Sequence, residues 1–249
     1  MARQKSIIKL QGTIGGISFY KSKDGYLARE KGGVDGTRIA NDPAFARTRE
    51  NGAEFANAAS AGKLLRDAVR VLGINASDSR VTARLTQLMT HIKNLDEANS
   101  RGERNVAEGI TTEQGKALLR GFNFNRNAVL NRVLYKPFQV DTATGEISVG
   151  SIITQDEISY PQGATHIVFK SGFASVNFET GTSELQVSAA ERLAISEENQ
   201  NLLIAPNEVP SVAGTKFILL CIEFMQEVNG NDYSLKNGAY NVLCIVEVV

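Results

Sequence analysis

The sequence predicts an α+β protein. It expects an N-terminal β-ribbon or arm over residues 1–33, a helical region over 34–137 and a C-terminal antiparallel β-sandwich over 138–249. Three observations carry this. Residues 6–33 alternate apolar and polar side chains between glycines, which is the period-two pattern of strands. Asp42-Pro43 opens a region of apolar residues at three- and four-residue spacing. From Phe138 onward, short apolar runs alternate with Gly, Asn, Asp and Pro clusters, as in antiparallel sandwiches.

Within the ribbon, the pattern predicts strands over 6–10, 14–21 and 26–30. Gly12, Gly15 and Gly16 allow a sharp turn between the first two. Asp24-Gly25 suits a type I′ turn between the second and third. Alternation places Ile17 and Phe19 on one face and Ser18 and Tyr20 on the other. So small a ribbon is marginal alone and needs a partner surface. The expected assembly contacts are Ile14, Ile17, Phe19, Tyr20 and Tyr26.

Residues 31–40 lack periodicity and read as a linker. Asp42 is the expected N-cap and Pro43 the first helical residue of a helix running to Leu72. Gly52 and Gly62 each cost about 1 kcal/mol against alanine and are candidate breaks. The small residues of AEFANAASAGKLL suit close helix packing or a crowded subunit interface. A second helix, capped by Ser77 or Asp78, runs to Leu95, and shorter pieces cover 113–120 and 126–134. Strands follow over 138–140, 146–149, 166–170, 174–178, 184–187, 217–225 and 240–249. A symmetric hairpin of the last two, centred near Asp232, would bring Cys221 beside Cys244 as buried, reduced thiols.

Net charge is zero, yet charge is unevenly spread. Residues 1–137 carry 23 Lys and Arg against 13 Asp and Glu; residues 138–249 carry 4 against 14. Such polarity favours head-to-tail attraction between copies, or a basic half that meets an anionic partner. No apolar run follows basic residues 1–9 as in a signal peptide, and no stretch approaches a membrane span, so no membrane partner is expected. The expectation is cytoplasmic synthesis, with release inside an assembled particle.

No catalytic constellation is visible. His91 and His166 lack ligating residues at metal spacing, and no G-x-S-x-G, P-loop or H-E-x-x-H motif occurs. Asp156-Glu157 and Glu197-Glu198 read as solvated loop acids rather than a glycosidase pair. The chain is therefore expected to be no enzyme and to hold no cofactor or metal. A basic patch for nucleic acid would comprise Lys21, Lys23, Arg38, Arg47, Arg49, Lys63, Arg66 and Arg70, with Tyr20 and Tyr26 to stack bases, although acidic residues are mixed among them.

The motifs G-T-I-G-G-I-S-F-Y-K, A-R-E-K-G-G and N-D-P-A-F-A-R-T-R-E-N, all within the first 70 residues, carry a resemblance. The N-terminal segment resembles a Bacteroidota protein family from phage-like or mobile genetic regions. The resemblance implies a family and no particular activity. With the residue-level reading, it yields the leading expectation: a structural protein that self-assembles as a virion component, tube or filament. The alternatives are a monomeric module that binds protein or carbohydrate, and a nucleic-acid binder using the basic half.

Overall fold

The computed structural model describes residues 2–30 and 32–249, without the side chains of Lys236 and Asn237. The chain forms two compact units, residues 1–49 and 50–249. This replaces the three segments expected from sequence, for a reason that lies in the core of the larger unit.

The first unit is a four-stranded antiparallel sheet followed by short helices. Its strands are β1 (Ala2–Arg3), β2 (Gly12–Ile14), β3 (Ile17–Ser22) and β4 (Gly25–Glu30), in spatial order β1-β4-β3-β2. The strand expected over 6–10 does not form. Gln4 folds that segment into a loop, accepting from the Leu10 N–H at 2.9 Å while its amide donates to the Leu10 carbonyl at 3.2 Å. Ile14 and Ile17 pair across Gly15-Gly16, and Gly15 has φ +57°, which suits the first position of a type II′ turn. The Asp24-Gly25 turn is where the sequence puts it, but it is not type I′. Only Gly25 has positive φ, at +104°, the arrangement of a glycine bulge. The expected linker contains a helix, α1 (Gly36–Asn41), with Asp35 as N-cap accepting from the Thr37 N–H at 2.8 Å. Asp42 accepts from the Ala44 N–H at 2.9 Å and caps a 3-10 turn, Pro43–Phe45. This leads into α2 (Ala46–Ala68), within which the unit boundary falls.

α2 runs unbroken through Gly52 and Gly62. A Cβ on Gly62 would lie 3.6–3.7 Å from Met89, Leu85 and Thr86, so the small residues serve packing within the chain. Then come α3 (Arg70–Gly73), α4 (Val81–Lys93), α5 (Val106–Gly109), α6 (Glu113–Leu119) and α7 (Leu130–Val133). The strands that follow are β5 (Gln139–Val140) and β6 (Ile147–Ile153), then after α8 (Thr154–Glu157) β7 (His166–Asn177), β8 (Thr182–Val187), β9 (Glu191–Ala194), β10 (Asn199–Ile204), β11 (Thr215–Val228), β12 (Asn231–Ser234) and β13 (Val242–Val248).

β11 is the spine of a six-stranded antiparallel sheet. β7 pairs along one side, while β12 and β13 share the other; β8 and β9 divide the far side of β7. One face packs on the helices: Leu65, Leu85 and Met89 meet Phe217, Leu219 and Leu243 in one buried cluster. The other packs on a three-stranded sheet, β10-β6-β5, through Ile147, Leu202, Phe169, Phe173 and Leu220. β7 and β11 are thus buried on both faces, and helices and strands share one unit. The chain is α+β as expected: ribbon and helices, then a curled antiparallel sheet with a second sheet over one face.

The cysteines correct one expectation. β11 and β13 pair antiparallel, but Cys244 lies opposite Leu220 and Cys221 opposite Leu243. A one-residue offset reverses the face of a strand residue. Cys221 faces the helices and Cys244 the small sheet, so they are not neighbours in one layer. Both are free and buried, and burial pushes each thiol up to about 12.

Candidate assembly surface

The N-terminal sheet has two dissimilar faces, fixed by its register. Directly paired residues of antiparallel strands share a face. Ile14 pairs with Ile17, Phe19 with Ala28, and Lys21 with Tyr26, so Ile14, Ile17, Phe19 and Tyr26 lie together. Tyr20 pairs with Leu27 and Ser18 with Arg29 on the opposite face. Four of the five expected contact residues therefore share one face, and Tyr20 lies on the other.

Neither face has a core behind it. No described residue of 1–49 is buried. Ile14 is 60% exposed, Ile17 46%, and Ile7 and Ile8 in the preceding loop are still more open. Isolated exposed apolar residues are ordinary, whereas here several fall within one small unit. The aromatics are held by cations. Lys9 and Lys21 sit 5.8 and 5.6 Å from the Tyr26 ring centre, and Arg29 lies 5.5 Å from that of Tyr20.

Charge also separates the two units, though less sharply than the two sequence halves. Residues 1–49 hold 10 Lys and Arg against 4 Asp and Glu, and residues 50–249 hold 17 against 23, giving +6 and −6. The expected basic patch is divided by the unit boundary. Lys21, Lys23, Arg38, Arg47 and Arg49 belong to the first unit. Arg38 is bound to Asp42 at 3.1 Å, and Arg49 donates to the carbonyls of Ile39 and Asp42. Lys63, Arg66 and Arg70 lie along α2 and α3 of the second; Arg66 and Arg70 line a small cleft of about 240 Å³ with Ile74 and Phe124.

Other charged groups are structural. The ammonium of Lys93 donates to buried Glu54, which also accepts from the Gly102 N–H at 2.8 Å. Lys170 donates to buried Glu223 at 2.6 Å. Glu157 of the Asp156-Glu157 pair binds Lys136 at 2.8 Å and the Ile153 N–H at 2.9 Å. Sequence reasoning missed one cluster: His166, Glu227 and Asp232 offer ligand atoms within 4.8 Å of one another. Arg192 fills it, donating to Glu227 at 2.6 Å and to Asp232 at 2.9 and 3.1 Å. Those carboxylates already face a fixed cation. The cluster joins residues up to 66 positions apart, His166 to Asp232, which no local spacing signals.

Among the described residues, no helix is long and apolar enough to cross a membrane. No family model, curated protein or solved structure matches the chain.

Proposed function

We propose that the protein is a structural subunit that self-assembles into a tube, filament or phage-like particle, with the N-terminal sheet of each copy fastened onto the next. The observation that carries this reading is the absence of any buried residue among those described in 1–49. A small sheet with an apolar face gains stability by covering that face. Charge selects the cover. Two N-terminal units face to face would oppose +6 with +6, whereas the second unit of another copy offers −6. Such a contact joins different surfaces and, where the rotation does not close, grows without limit. The resemblance of the N-terminal segment to proteins of phage-like regions supports the same reading.

Negative-stain microscopy and sedimentation of the full chain test it, beside a chain lacking residues 1–33. Every buried residue among those described lies within 54–248, so the shortened chain keeps its core. The full chain should form polymers and the shortened chain should sediment as a monomer. A full chain that stays monomeric at high concentration refutes self-assembly. One observation favours a second reading: the cation–aromatic pairs on the ribbon suit a single-stranded nucleic acid. Saturable, salt-sensitive binding of an oligonucleotide by a monomeric full chain would support that reading instead.

A further inference from the structure

The acidic unit must offer the basic sheet a particular landing site, and the edges of its six-stranded sheet differ. The β13 edge is closed by residues 121–124. Gly121 donates to the Ile245 carbonyl at 2.8 Å, Ile245 to the Phe122 carbonyl at 3.0 Å, and Phe124 to the Leu243 carbonyl at 2.8 Å. The β8 edge is open over Ser183–Leu185 and is bridged beyond them, at Ser188, by Pro206. Ser188 donates inward to the Ser171 carbonyl at 3.0 Å. Antiparallel alternation then turns the N–H and C=O groups of Ser183, Leu185 and Val187 outward. Among the described residues no backbone group meets those of Ser183 and Leu185 there. The Leu185 and Val187 side chains pack against the helical core, which holds the strand in place while its polar groups face out.

The stretch of chain that contains this edge is acidic. Between Lys136 and Lys216 the chain has ten acidic residues and only two basic ones, Lys170 and Arg192. Both of those are already bound to carboxylates. Glu179, Glu184 and Glu191 flank or belong to β8. Opposite them in character is β2, a terminal strand of a sheet in the +6 unit. Of its three residues, Gly12–Ile14, antiparallel alternation turns the N–H and C=O groups of Thr13 outward, away from β3.

We propose that β2 of one copy adds to the outer edge of β8 of a second copy, joining the two sheets through main-chain hydrogen bonds. This is strand addition to an open edge, and it deepens the self-assembly reading on which it rests.

Two measurements test it on the full chain. Ser183 is exposed, so Ser183→Lys should fold with an unchanged melting temperature, while an edge lysine opposes strand addition. The expected result is loss of polymer. Separately, a Thr13→Cys copy mixed with a Ser183→Cys copy under mild oxidation should form a mixed disulfide dimer; the buried native thiols take no part. If the wild type polymerises, Ser183→Lys polymerises equally and no mixed disulfide appears, β8 is not the acceptor while self-assembly stands. A Ser183→Cys copy that cross-links only to itself would show a β8–β8 contact and overturn the proposal. A wild type that stays monomeric, or that polymerises only on an added oligonucleotide, overturns the strand-addition joint and the self-assembly reading together.

Discussion

The apolar face of the N-terminal sheet makes a quantitative prediction. Ile14 is 60% exposed and Ile17 46%. Together they leave about one isoleucine side chain of area to be covered, worth about 1.5–3 kcal/mol when buried. Replacing both with serine keeps the backbone and removes most of that gain. The same energy is about 10- to 150-fold in an association constant, since each 1.4 kcal/mol is a factor of ten. The concentration at which Ile14→Ser/Ile17→Ser polymerises should rise by that factor, read by light scattering over a dilution series. The unfolding of residues 50–249 should not change, because neither side chain belongs to their core. Polymerisation at the wild-type concentration would refute the claim that this face is covered in the assembly. A fall in the melting temperature of the large unit would mean that the face is covered within the chain.

Three further outcomes follow from the same structure. Polymerisation should weaken between low and molar salt, because exposed charges are screened beyond about 8 Å at physiological ionic strength; indifference to salt would leave apolar burial as the driving term. Thiol titration should find Cys221 and Cys244 unreactive in the native protein and two reactive groups after denaturation, since both are buried thiols. Lys93→Met leaves Glu54 buried without its cation and should cost about 3–5 kcal/mol, seen as a melting temperature lower by about 6–20 °C. The Lys93 ammonium, then the Gly102 N–H, hold the Glu54 carboxyl below its ordinary value of 4.5. The wild type therefore has the full contribution of this pair above that value and loses it as pH falls through the lower folded one. Lys93→Met should show a smaller loss of stability on acidification, checked by thermal melts at neutral and acid pH.

The sequence by itself determined the order of ribbon, helices and sheet, the capped entry at Asp42, the turn at Asp24-Gly25 and the charge polarity. Each is written in residues a few positions apart, where side-chain period and backbone preference act. It also placed Ile14, Ile17, Phe19 and Tyr26 on strands, although only the register shows that they share a face. The polar strands β9 and β10 were not legible, because each buries few side chains, Leu193 in one and Leu202 and Ile204 in the other. Tertiary structure alone decided that β7 and β11 are covered on both sides, which merges the helices and the sandwich into one unit. It alone set Cys244 opposite Leu220, because a single-residue offset within β11 and β13 turns a side chain to the other face. And it alone closed the β13 edge and left that of β8 open over Ser183–Leu185, since an edge is sealed by whichever segment packs beside it: residues 121–124 reach β13 from about 120 positions away in the chain.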